Sequence, residues 1–155
     1  MIRFLDDRRE RLDVVRHIWA HPHWYTQEDI EWCKSVFACS EEEMQETFLN
    51  AAKFAVVEKD ALPLYVMAVA DTGQLHTLSE ERLEGNAIYM TKVMKRYERT
   101  PEGAAFLDGV IGVADKKDLI DGKLPAWVKG FGFEPYAEVP IPGHNVIVYF
   151  HRVRT

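Results

Sequence analysis

The sequence has little cysteine, no long apolar run and an excess of acidic residues. Its two cysteines, Cys33 and Cys39, are too few for the disulfide framework of a small secreted domain. The longest apolar runs, such as residues 61–70, reach about half the length of a bilayer-spanning helix. The formal net charge of −6 argues against non-specific binding to nucleic acid, which needs clustered Lys and Arg. We therefore expect neither a membrane span nor a nucleic-acid partner.

The remaining composition is that of one globular domain. Apolar residues make up 47% and charged residues 28% of the 155 residues, and no linker or repeat divides them. Residues 1–12 are charged from position 3 onward and so differ from a secretory signal. We predict a single domain spanning residues 1–155 and a cytoplasmic location.

The order of periodic segments predicts a mixed α/β fold. A strand-like opening precedes three helical segments, whose starts carry capping residues. The predicted capping residues are Asp6 or Asp7, Thr26 with Asp29, and Ser40 with Glu43. Three strands follow within 53–79, then an amphipathic helix from Asn86 to about Arg99, a buried strand at 105–113, and two strands around residues 140–143. We predict a mixed, mostly antiparallel sheet of about six or seven strands flanked by helices.

A short loop between a predicted strand and a predicted helix resembles a cofactor-binding motif. Residues 82–87 read Arg-Leu-Glu-Gly-Asn-Ala and fit the pattern Gln/Arg-x-x-Gly-x-Gly/Ala at all three specified positions. Together with the element order, this loop resembles that of the GNAT superfamily of acyl-CoA-dependent N-acetyltransferases, whose loop amides hold the pyrophosphate of coenzyme A. A helix start suits that task because its first N–H groups are unpaired and carry partial positive charge.

The resemblance implies a set of site residues around this loop. Acetyl-CoA is expected at the loop, with its thioester carbonyl polarised by a strand amide near Leu78. Glu80 or Glu81 is expected to accept a proton from an attacking amine, carried by a small molecule or a protein. The implied loop residues are Arg82, Leu83, Glu84, Gly85, Asn86 and Ala87. The acetyl group would pass directly to that amine.

A second segment, residues 126–135, resembles the signature that joins the family's last helix to a strand, through its Gly-Phe-Gly-Phe-Glu-Pro sequence. Many relatives place a tyrosine here as the general acid toward the coenzyme thiolate. This chain has Trp127 instead, and an indole cannot protonate a thiolate. We expect Trp127 to lie at the cofactor, and the exchange to weaken turnover without changing the fold.

A narrower resemblance suggests an alternative function. Residues 62–81, the basic helix at 92–99 and the segment 127–133 are similar in pattern to the acetyltransferase-like internal virion proteins of short-tailed phages. This resemblance implies a fold retained without catalysis. The alternative is therefore a catalytically silent structural protein of the virion interior, with other virion proteins as partners.

Three histidines cluster near the end of the first predicted helix. His17 and His21 are one helical turn apart, a spacing that can hold zinc, and His23 follows Pro22. Histidines at such a position also cap the last carbonyls of a helix. We favour this structural role and predict no metal site.

Overall fold

Seven β-strands form one sheet in the computed structural model, which describes residues 1–116, 132–140 and 147–152. The strands are β1 (Ile2–Phe4), β2 (Lys53–Lys59), β3 (Leu62–Val69), β4 (Gln74–Ser79), β5 (Ile111–Asp115), β6 (Phe133–Val139) and β7 (Ile147–Arg152). Their order is β1-β2-β3-β4-β5-β7-β6, and only the pair β4–β5 is parallel. The predicted fold class, a mixed and mostly antiparallel sheet flanked by helices, is confirmed.

Five α-helices and one 3₁₀ segment connect these strands within the described part of the chain. They are α1 (Arg8–Ala20), α2 (Trp24–Phe37), α3 (Glu41–Leu49), the 3₁₀ segment (Glu81–Asn86), α4 (Ala87–Glu98) and α5 (Pro101–Leu107). Among the described residues, no helix has the length and apolar character needed to cross a membrane.

The helices cover both faces of the sheet because successive strand residues point to opposite sides. On β2, Phe54 and Val56 belong to a core formed with α1 and α3. Ala55 and Val57 belong to a second core formed with α4 and α5. The pair α1 and α3 therefore lies on one face of the sheet, and the pair α4 and α5 lies on the other.

Two of the three predicted helix starts agree with the structure. Asp7 caps α1, and Ser40 and Glu43 form a reciprocal capping box at α3. Helix α2 begins earlier than predicted, with the His23 side chain as its cap, so the capping box expected at Thr26 is wrong. The Thr26 side chain is buried and serves another purpose at the end of β4.

The sequence predicted one strand over the apolar run at 105–113, and this prediction is wrong. The first part of the run belongs to α5, because the hydroxyl of Thr100 accepts a hydrogen bond from the Gly103 N–H at 3.0 Å and Pro101 occupies the first helical turn. Only Ile111–Asp115 forms the strand. The helical start signal at Thr100 therefore outweighs the apolar run that follows it.

The turn between β2 and β3 contains an alanine whose replacement by glycine should stabilise the protein. Lys59 pairs with Leu62, and the two residues between them, Asp60 and Ala61, have φ of 55° and 62°. Such two-residue hairpins favour glycine at the second position, because a Cβ is strained at positive φ. Replacing Ala61→Gly should raise the free energy of unfolding by about 0.5–1 kcal/mol, measured in urea.

A matched control is the same exchange in a helix, where φ is negative. Ala105→Gly in α5 should lower the free energy of unfolding by about 1 kcal/mol. If Ala61→Gly lowers the free energy of unfolding as Ala105→Gly does, then strain from the positive φ of Ala61 does not destabilise the protein.

Candidate functional site

The candidate site lies where β4 leaves its parallel neighbour β5. The two strands pair only at their first residues, Gln74 with Ile111 and Leu75 with Gly112. Past Leu75 no pairing joins them, although β4 continues to Ser79. The divergence leaves the edge of β4 beyond Leu75 without a partner strand among the described residues, and this space is here named the gap.

The edge of β4 that faces this gap carries the main-chain groups of its odd-numbered residues. The N–H of Glu80 donates to the carbonyl of Leu64 on β3 at 2.9 Å. Because main-chain groups alternate between the two edges of a strand, the N–H of Leu78 also turns toward β3. Of the amides near Leu78, those of Thr77 and Ser79 turn toward the gap, and the polarisation of a thioester carbonyl by one of them stays a prediction.

The connection between α1 and α2 covers part of this edge. The Ser79 N–H donates to the hydroxyl of Thr26 at 2.8 Å, and the Ser79 carbonyl accepts from the His23 N–H at 2.9 Å. The N–H of Glu81 donates to the carbonyl of His21 at 2.8 Å. These hydrogen bonds pair the main-chain groups of Ser79 and the N–H of Glu81. The connection between α1 and α2 makes no such bond to Thr77, whose main chain also faces the gap.

Glu80, one of the two predicted catalytic bases, is a buried member of an ion pair. Its side chain is 2% exposed and accepts hydrogen bonds from both the Arg82 guanidinium and the Arg82 N–H. The same guanidinium donates to the carbonyls of Lys59, Leu62 and Pro63 in the β2–β3 turn. This arrangement ties the 3₁₀ segment to the turn and keeps the Glu80 carboxylate away from solvent.

Glu81, the other predicted base, is open to solvent. Its side chain is 61% exposed, and its Oε1 lies 3.8 Å from Nδ1 of His21. The two adjacent glutamates therefore occupy different environments, and only Glu81 is accessible to an amine arriving from solution.

The loop predicted to cradle a pyrophosphate is a short 3₁₀ helix. The Leu83 N–H donates to the carbonyl of Glu80 at 2.9 Å, and the Arg82 N–H donates to the Glu80 carboxylate at 3.2 Å. The side chain of Asn86 donates to the Arg82 carbonyl at 2.7 Å and accepts from Lys59. Because these groups are paired within the chain, the expectation of free amides at positions 82 and 83 is wrong.

The other predicted loop residues differ in exposure. Leu83 is partly buried against the core on the α4 side of the sheet. Glu84 and Ala87 are exposed, and no atom lies within 4 Å of the position that a Cβ on Gly85 would take. Trp127 lies outside the described residues, as does most of the 126–135 segment. Binding of coenzyme A by residues 82–87 stays a prediction.

Sequence reasoning missed two residues near the end of β4. Thr26 is 3% exposed and closes the main-chain edge at Ser79. Tyr65 is buried on the neighbouring strand β3, where its hydroxyl is hydrogen-bonded to the Thr77 side chain. Burial raises the pKa of Tyr65 to about 12. The sequence does show a threonine at the start of a segment with helical periodicity. That pattern is also typical of a helix cap, so it did not indicate that the Thr26 hydroxyl bonds to β4.

The histidines do not form a metal site with other residues in the described ranges. The rings of His17 and His21 lie 5.4 Å apart, as expected from their spacing on α1. Within residues 1–116, 132–140 and 147–152, no group of three or more His, Cys, Asp or Glu is placed to hold a metal ion. His76 packs against Phe48, and burial lowers its pKa, so its neutral form is favoured.

Fold and site together define a mixed α/β protein with a divergent β4–β5 pair. No protein-family model and no curated protein matches the sequence. The chain is similar to the apo form of YjaB from Escherichia coli, with 14% identity, a TM-score of 0.46, and coverage of 100% of this chain and 98% of YjaB. It is also similar to bh2621, an uncharacterized protein of Bacillus halodurans, with 17% identity, a TM-score of 0.49, and coverage of 97% and 82%. At these values, neither likeness informs on activity or family.

Proposed function

We propose that this chain is a GNAT-like protein that acts through contacts with other proteins and does not transfer acyl groups. In its most specific form, the proposal is an internal virion protein of a short-tailed phage. The single observation that carries it is the pairing of Arg82 with buried Glu80 and with the carbonyls of the β2–β3 turn. The Arg82 N–H donates to the same carboxylate at 3.2 Å, so both the main-chain donor and the guanidinium of Arg82 are engaged within the chain instead of being free to meet a diphosphate.

The electrostatics of the loop also support this proposal. Glu80, Glu81 and Glu84 stand within or beside the segment that would approach the pyrophosphate. Like charges at such distances disfavour binding of an anion unless cations outnumber them. Arg82 and Lys59 are the cations in contact with this segment, and both are engaged by partners of the chain itself.

A second candidate function is acetyl transfer from acetyl-CoA to an unknown amine, and the divergence of β4 from β5 favours it. In this function the amine nitrogen attacks the thioester carbonyl, the carbon–sulfur bond breaks, and coenzyme A leaves as a thiolate that is then protonated. Glu81 is the accessible base, and the Thr77 N–H, next to Leu78, is the strand amide that polarises the carbonyl. The open space at Gly85 leaves room for a phosphate.

Calorimetric titration with acetyl-CoA separates the two functions. The interaction protein should give no binding heat at millimolar acetyl-CoA, because its loop is internally paired. A micromolar Kd, which corresponds to about −8 kcal/mol, would overturn the first proposal in favour of the transferase. In that case Gly85→Glu should abolish binding by placing bulk and negative charge in the loop. Gly85→Ala is the matched control and should bind normally, since a methyl group meets no neighbour there.

A further inference from the structure

The outer face of α4 carries a row of cations. They occupy positions spaced by three and four residues, which a helix places on one side, and all are exposed. These cations, here named the basic face, are Lys92, Lys95, Arg96 and Arg99. The buried side chains of the same helix are Met90, Met94 and Tyr97. The basic face therefore points directly away from the core and extends for about 10 Å along the helix.

The basic face has no acidic partner in the described part of the chain. None of its four side chains takes part in an ion pair or a side-chain hydrogen bond there. Glu98, the acidic residue of α4, pairs with Arg152 on β7 instead. Four exposed positive charges on one surface strip, with no ion-pair partner among the described residues, attract an external partner that carries negative charge.

An excess of acidic residues lies in the segment that contains α1, α2 and α3. Residues 6–50, which contain α1, α2 and α3, include eleven acids and five bases, a formal net charge of −6 that equals the value for the whole chain. Helices α1 and α3 pack on the face opposite to α4. The basic face of α4 and the acidic residues of α1 and α3 therefore lie on opposite sides of the sheet.

Acidic residues also line part of the surface at α3. A shallow depression there, here named the acidic depression, is lined by Ser40, Glu42, Glu43, Glu46, Thr47 and Asn50. Glu46 is held in place by Arg8 and Asn50, whereas Glu42 is exposed and makes no ion pair with a described residue. The basic face of one molecule is therefore complementary in charge to the acidic depression of another.

We propose that the basic face of one molecule docks on the acidic depression of a second copy of this chain. This inference rests on the proposed function, an interaction protein, and names its partner. The two surfaces lie on opposite faces of the sheet, so the contact is head-to-tail. Such a contact does not close as a twofold dimer, and it generates rings or open stacks of molecules.

The charge distribution favours a second copy over a nucleic acid. A nucleic acid carries negative charge along its whole length and offers no cationic surface to the acidic segment 6–50. A second copy supplies a carboxylate-rich surface and brings its own basic face to the next molecule. The attraction is between exposed charges, so added salt screens it over a Debye length of about 8 Å at physiological ionic strength.

Sedimentation velocity of the full chain and two charge-reversed variants tests this contact. The first variant, Lys92→Glu with Arg96→Glu, reverses the basic face. The second, Glu42→Lys, places a cation at the exposed carboxylate of the acidic depression without breaking an ion pair between described residues. The wild type should form species larger than a dimer at low salt and monomers at about 0.5 M salt. Each variant alone should associate about tenfold more weakly or not at all.

A mixture of the two variants is the decisive measurement, because each then offers the surface that the other has lost. Association should return in the mixture. The control is Arg9→Glu with Arg16→Glu, an equal charge change on α1 that should not weaken association. A wild type that stays monomeric at low salt, variants that associate normally, or a mixture that does not recover would each overturn the inference. Binding of a DNA duplex by a monomeric wild type would do the same, and the acetyl-CoA titration would still judge the proposed function separately.

Discussion

Replacing Gly103→Ala should destabilise the protein by about 3 kcal/mol and lower its Tm by roughly 10 °C. A Cβ at this position would lie 1.8 Å from the carbonyl oxygen of Tyr97 and 2.6 Å from its carbon. That carbonyl cannot move freely, because it accepts hydrogen bonds from the Thr100 N–H at 3.0 Å and the Thr100 hydroxyl at 2.6 Å. Tyr97 itself is packed against Phe106 in the core. Alanine would therefore separate α4 from α5.

The expected sign is informative because intrinsic propensity points the other way. Alanine in a helix is favoured over glycine by about 1 kcal/mol, so an exchange in α5 without a clash would stabilise the protein. Gly85→Ala is the matched control, since its Cβ would meet nothing within 4 Å, and its Tm should stay the same or rise slightly. Thermal unfolding by circular dichroism measures both variants. Equal Tm values for the two would show that the α4–α5 junction relaxes without cost.

The strands of this sheet could be predicted from sequence because their signals are local. The hairpin strands β2 and β3 are divided at Asp60, and β4 follows the Asp71-Thr72-Gly73 turn, where the sequence changes from β-branched to polar residues. Helix caps at Asp7 and Ser40 were equally local. By contrast, α5 was missed, because the apolar residues after Pro101 fit a buried strand as well as a helix.

The site was harder to predict because it depends on contacts between distant segments. The bond from Ser79 to Thr26 joins residues 53 positions apart, and no sequence pattern specifies it. The orientation of the Leu78 amide depends on strand register, and a shift of one residue reverses it. The motif at residues 82–87 correctly marked the start of α4, but its glycine does not determine whether the preceding amides are free. That depends on the Glu80 side chain, which lies outside the motif.

Replacing Arg82→Ala should lower the free energy of unfolding by about 3 kcal/mol, because it leaves the Glu80 carboxylate buried without its partner. The reverse change, Glu80→Gln, should cost about 1–2 kcal/mol, since a glutamine oxygen can still accept from the Arg82 N–H and the guanidinium is partly hydrated.

Urea unfolding of the Arg82→Ala and Glu80→Gln variants measures the difference between these two stability losses. The control is Lys95→Ala on the exposed face of α4, whose free energy of unfolding should stay within about 0.5 kcal/mol of the wild type. An arginine kept to bind a diphosphate would give the opposite pattern, with stability unchanged in Arg82→Ala and affinity for acetyl-CoA lost. The ratio of the two stability losses therefore tests whether the start of α4 serves the fold or a ligand. In a structural ion pair, loss of the half-buried cation lowers stability more than loss of the buried anion.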